Sequence, residues 1–182
     1  MTDAESNEGR ESPDALNDVI RTDALDLLEE VFVTHHGYIL DRGTSLFETL
    51  AGIDAETASL RYSPQCGTLA AQVNHTRFYL DVVVRAMRDG DNTPADWDAS
   101  WEIAAVSDAE WKGMIGDLRA SYEAVHAVIG SRDRWNEASV GDAMAIIAHS
   151  AYHLGEIRQA LAVIPSCVPT PDRTQGVIRT RG

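Results

Sequence analysis

The sequence predicts an all-α protein: a four-helix bundle with a long crossover between its second and third helices. Three observations carry this. Apolar residues recur at helical spacing in four long segments, helix-capping patterns stand at or near the heads of those segments, and no two-residue alternation lasts long enough for a strand. Four long helices with one long connection is a common bundle layout.

Residues 1–11 are acidic and polar and read as a disordered tail. Ser12-Pro13-Asp14 reads as an N-cap, a proline at the first helical position and an acid in the first turn. Leu16, Val19, Ile20, Ala24, Leu27, Leu28 and Val31 then mark the buried stripe of a first helix that stops by Gly37. Ser45 and Glu48 form a possible capping box opening a short helical piece through Leu50, and a loop with breakers Pro64 and Gly67 follows. Thr68 caps the second long helix. Its stripes, Leu69-Val73-Thr76-Leu80-Val83-Met87 and Ala71-His75-Phe78-Val82, make it central, and Asp89 to Asn92 end it.

The crossover carries Trp97 and Trp101, read as anchors against the bundle or as a lid over a pocket. Ser107 to Glu110 is a capping box for the third helix, which stops at Gly130. Ser139 to Asp142 opens the last helix, which should reach Val163 and end before Pro165. The bundle domain is thus 12–164, with 165–182 a tail.

Composition excludes several classes. The chain has 182 residues and 44% hydrophobic content, enough for one domain with a core. No apolar run approaches the roughly 18–20 residues of a membrane span, and the N-terminus has no signal-peptide pattern. Cys66 and Cys167 lie in no paired ligand spacing, which fits a reduced cytoplasmic setting; a disulfide between them is the lesser alternative. Net charge is −14, and Lys112 is the only lysine. Such a surface repels phosphate backbones and anionic membranes, so neither nucleic acid nor membrane is an expected partner. Either a saline cytoplasm or a GC-rich genome accounts for this acidity.

His149 and His153 are the strongest chemical signal. Four residues apart on a helix, they stack on one face about 5–6 Å apart at Cβ and can share one metal ion. They interrupt a core stripe of Ile146, Ile157, Ala160 and Ile164, and His75 interrupts another on the second helix. A buried imidazole needs partners for both nitrogens, and a metal satisfies one on each ring. Three histidines with an open fourth position are the composition of a catalytic zinc site; nickel, iron or manganese stay open. The competing reading is three core histidines bonded to carbonyls or waters.

Lesser candidates surround them. Glu156, one turn past His153, reads as a hydrogen-bond partner to a ligand, a weak candidate base, or a solvated glutamate. Tyr79 and Tyr152 line a cavity or fill core. His35 and His36 read as cap or surface residues, His126 as peripheral, and Cys66 as no nucleophile. Gly155 inside a helix suggests close helix contact.

The pattern Thr68-Leu69, His75, and His149-x-x-x-His153-x-Gly155-x-Ile157, with Asp96 to Trp101 in the crossover, resembles the DinB-like superfamily of four-helix-bundle metalloenzymes over roughly Leu16 to Ile164. Many of its members carry glutamine at the place of Glu156. The resemblance implies an up-down-down-up bundle, frequent homodimers and a divalent-metal site of His75, His149 and His153. In some relatives it implies transferase or isomerase chemistry with a low-molecular-weight thiol. The expected function is therefore a cytoplasmic metal-dependent enzyme, with the metal activating a thiol or water against a small electrophile. The alternative is a non-catalytic, stress-related bundle that binds a small ligand or a partner subunit.

Overall fold

The computed structural model describes residues 13–63 and 65–167. Among them are six α-helices: α1 (Pro13–Phe32), α2 (Leu46–Leu50), α3 (Ala55–Ala58), α4 (Leu69–Asp89), α5 (Asp108–Gly130) and α6 (Glu137–Cys167). A single 3-10 turn, Ala99–Trp101, interrupts the crossover, and no strand is present among the described residues. The Ser12 cap, the 1–11 tail and most of the C-terminal tail lie outside those residues.

Four of the helices are long, and they surround one core. The helix α4 packs against α5 and α6, and α1 packs against the same two. Leu28, Val31, Leu80, Leu118, Ile146 and Ile157 are fully buried between them. Phe32, Phe47 and Tyr122 close one end as an aromatic cluster with centroids 5.2–5.9 Å apart. The expected stripe of α1 is only partly buried: Leu16 and Val19 are 51% and 48% exposed.

Local chemistry sets the ends. Thr68 Oγ1 accepts the Ala71 N–H at 3.0 Å, and Gly90 ends α4 at φ +67°, a left-handed value that favours glycine. The backbone N–H groups of Ser45 and Ser107 donate to Glu48 and Glu110 at 3.1 and 2.7 Å, as the capping boxes require. Three boundaries differ from expectation. Asp54 caps the short α3, where only a loop was expected, by accepting from Thr57 N–H at 2.8 Å. Asn136, not Ser139, caps α6: Ser139 N–H donates to Asn136 Oδ1, and Asn136 N–H donates to Ser139 Oγ, each at 2.9 Å. At its other end α6 continues through Pro165 to Cys167. Proline holds a helical φ, so it removes one backbone hydrogen bond without stopping the last turn.

The crossover retraces α4. Thr68 Oγ1 donates to Ile103 O at 2.7 Å and Val106 N–H donates to Ser59 Oγ at 3.0 Å, so the crossover's end lies by the head of α4. Trp111 Nε1 then donates to Ile53 O at 2.7 Å. At the opposite end Arg132 reaches Met87 O, and Arg21 reaches Arg132 O, each at 3.3 Å.

The turn after α1 is organised by a buried charge that the hydrophobic pattern conceals. Glu30 is fully buried, and its carboxylate accepts from the backbone N–H groups of Gly37, Tyr38, Ile39 and Leu40 at 3.0–3.2 Å. Burial alone raises its pKa; the four donors outweigh that and hold it below the ordinary carboxylate value. Glu30→Ala strands those donors, and Glu30→Gln opposes one of them with an amide. Urea unfolding should show a loss of about 2–4 kcal/mol for the alanine variant and a smaller loss for glutamine.

Candidate metal centre

The Thr68 cap fixes the start of α4, and this places Gln72 and His75 on the side facing α6. There His149 and His153 stand one turn apart. The ring centroids are 5.2 Å apart for His75 and His149, 4.9 Å for His75 and His153, and 4.5 Å for His149 and His153. One ligand atom from each ring lies within 4.8 Å of the other two, close enough to hold one metal ion. Histidine 75 and His153 are buried and His149 is half-buried.

Two of the three rings are held at Nδ1. His75 Nδ1 lies 2.7 Å from Ser100 Oγ. His153 Nδ1 lies 2.7 Å from Gln72 Oε1 and 2.8 Å from Glu156 Oε2. Both of the latter are acceptors, so His153 Nδ1 carries the proton and its Nε2 keeps a free lone pair. The third ring differs: His149 stacks on Tyr79 with centroids 3.7 Å apart, and its Nε2 is buried with no hydrogen-bond partner. A buried nitrogen in that state costs about 1–3 kcal/mol unless something fills its lone pair or takes its proton. That orphan nitrogen, on a ring clustered with two other neutral imidazoles, fits a borderline-soft divalent cation.

The electrostatics keep the rings uncharged. Burial, then the neighbouring His153, pushes His75 down from 6.5 to about 4, against a weak pull from Glu156. Burial, His153 and His75 push His149 down to about 4. Burial lowers His153 as well, opposed by the Glu156 carboxylate.

Indoles and phenols wall the cluster. Trp101 stacks on His75 at 4.1 Å, and Trp97, 41% exposed, meets its edge at 6.2 Å. The two tryptophans of the crossover therefore both anchor it and cover the histidines. A Cβ on Gly67 would meet Ala71 Cβ at 3.3 Å and the Trp101 ring at 3.4 Å, so glycine lets that indole sit close. Beside His153 a cavity of about 500 Å³ opens to solvent, with Tyr62, Cys66, Trp101, Tyr152 and Glu156 on its walls. A larger groove of about 810 Å³ lies on the outer side of α4. Its arginines are paired with aspartates, Arg77 with Asp81, Arg85 with Asp91 and Arg88 with Asp89, which leaves it little chemistry to offer.

The remaining candidates fall outside the cluster. His36 pairs with Glu29 at 3.2 Å, His35 is half-buried, and the exposed His126 lies 6.0 Å from Tyr122. Gly155 is exposed with open space where a Cβ would stand, so close helix contact does not explain it. Sequence reasoning missed Gln72 and Ser100. Gln72 had a signal, as a polar side chain one turn before His75 in an apolar run; Ser100, between two tryptophans in a crossover, had none.

No curated protein and no solved structure matches the chain. Residues 40–157, well over half of it and including all three clustered histidines, match the family model described as the DinB superfamily, and the chain belongs to that superfamily.

Proposed function

We propose that this protein is a divalent-metal-dependent enzyme, transferase- or hydrolase-like, that turns a thiol or water against a small electrophile. The observation that carries this reading is the convergence of His75, His149 and His153 with a buried, unpaired nitrogen on His149. These three residues would hold the ion, with zinc the first choice and nickel, iron or manganese open. A divalent cation there supplies Lewis-acid chemistry, lowering the pKa of a coordinated water or low-molecular-weight thiol towards neutrality. Glu156 orients His153 and, being on the cavity wall, can also accept a proton from a bound molecule. Cavity aromatics Tyr62, Trp101 and Tyr152 would pack against the electrophile's body. The cavity reaching His153 favours this reading over a non-catalytic bundle, whose histidines would be fully bonded in a dry core.

The proposal extends to architecture and setting. The hydrogen bonds that join the head of α4 to the end of the crossover, and Arg132 to Met87 at the far end, support parallel α4 and α5 and thus an up-down-down-up order. No helix among the described residues is long and apolar enough to cross a membrane, and a cytoplasmic location accords with the acidic, cysteine-poor chain. A homodimer is proposed through α1 and α6, not through the second long helix, whose apolar side is buried. Leu16 and Met144 are 51% and 65% exposed there, near a groove lined by Ile20, Ala24, Leu27, Ala143 and Ile147.

Protein purified without a histidine tag should carry one metal per chain by elemental analysis, and His149→Ala should lose it. Glu156→Gln should weaken binding by no more than about tenfold, because Gln72 still accepts the His153 proton. Stoichiometric metal retained in His149→Ala would place the ion elsewhere.

Acid should destabilise the metal-free protein early. Between pH 6.5 and about 4 the unfolded chain takes up protons that folded His75 and His149 refuse, so stability is full above that window and falls as pH drops through it. The melting temperature should fall from pH 7 to pH 5, and His149→Gln should flatten that slope. Sedimentation should show a dimer at micromolar concentration that Leu16→Glu with Met144→Glu converts to monomer.

A further inference from the structure

We propose that Ser100 is a positioning residue that fixes His75 as its Nδ1–H tautomer and so leaves Nε2 as the nitrogen that faces the cluster. This rests on the metal reading above for its consequence, but not for its geometry.

The assignment follows from counting protons. A serine hydroxyl has one proton to give. Ser100 Oγ gives it to Trp97 O, 2.6 Å away within the same turn. The contact to His75 Nδ1 at 2.7 Å must then run the other way, with Nδ1–H donating to Ser100 Oγ. A neutral imidazole carries only one proton, so Nε2 is bare. Ser100 is 2% exposed, which keeps water from offering Nδ1 another partner.

Further contacts tie the turn to α4. Asn74 Nδ2 donates to Ser100 O at 2.8 Å, one residue before His75 on the same helix. Trp101, the next residue, stacks on the His75 ring. The crossover therefore reads the histidine at both its nitrogen and its face. Gln72 and Glu156 do the same for His153 from α4 and α6, so two rings are set by donors and acceptors of separate elements. In water the neutral side chain prefers its proton on Nε2. Without the Ser100 oxygen, Nδ1–H would be buried without an acceptor and the proton would return to Nε2, where it blocks ligation.

The test uses the full chain with ¹⁵N-labelled histidine, stripped of metal, and reads long-range ¹H–¹⁵N correlations near pH 7. His75 in the wild type should show a protonated Nδ1 and a bare Nε2. Ser100→Ala should shift the proton to Nε2, and Ser100→Thr, which restores the hydroxyl, should return it. Zinc affinity, by competition with a chromophoric chelator, should fall about 10–100-fold in Ser100→Ala and recover in Ser100→Thr. A wild-type His75 protonated on Nε2, or an unchanged tautomer in Ser100→Ala, overturns the proposal, and the wild-type spectrum decides even if the variant fails to fold. A wild type with the assigned tautomer but no zinc binding sinks the metal reading while the Ser100 assignment stands.

Discussion

The interior of this bundle holds three imidazoles that burial keeps neutral, and neutrality dictates the rest of the site. Each ring must be one donor and one acceptor. The protein supplies an acceptor for Nδ1 of His153, from Gln72 and Glu156, and an oxygen against Nδ1 of His75, from Ser100. What remains pointing inward is lone pairs, and lone pairs cannot hydrogen-bond one another. His149 adds a nitrogen with no partner at all. A hydrophobic core would not assemble such a set, since an isosteric apolar trio would avoid the desolvation of every nitrogen. A cation would convert this frustration into bonding.

This constraint explains the long crossover. Two of the histidines come from α6 and one from α4, so those helices alone could bring the three together. They orient His153, through Gln72 and Glu156, but the oxygen against Nδ1 of His75 comes from the crossover. The crossover lays its 3-10 turn along α4, where Asn74 and His75 hold it, and contributes Ser100, Trp97 and Trp101 to the outside of the cluster. A short hairpin between α4 and α5 would leave His75 exposed and its tautomer unset. The crossover is thus also a structural part of the site.

Much of this was legible in the sequence, for local reasons. Thr68, Ser45 and Ser107 act within one helical turn, so their neighbours announce them, and His149 and His153 share a face by spacing alone. The rest depends on encounters between distant segments. Ser100 meets His75 across 25 positions and Gln72 meets His153 across 81, and no periodicity records either. Glu30 stood in an apolar-periodic helix where an acid reads as a solvated position; only the following turn reveals that four amides converge on it. The α6 cap was misplaced because Asn136 and Ser139 both suit the N-cap, and their reciprocal bond makes Asn136 the cap.

Glu30 and the histidine cluster solve opposite problems with the same means. Glu30 keeps a full charge out of water because four backbone amides replace its hydration. The histidines give up charge because burial disfavours it, reinforced at His75 and His149 by the neighbouring imidazoles, and Glu156 is the acid on the cavity wall beside them. A cation entering the cluster therefore meets neutral donors backed by one carboxylate through His153. Its attraction over longer range comes from the chain as a whole, whose net charge of −14 favours approaching cations and is screened by salt. Selectivity for a cation would then rest on the imidazole lone pairs and their orientation, and its approach on the surface field. The two can be altered independently, because none of the surface acids need be touched to change which nitrogen of His75 is bare.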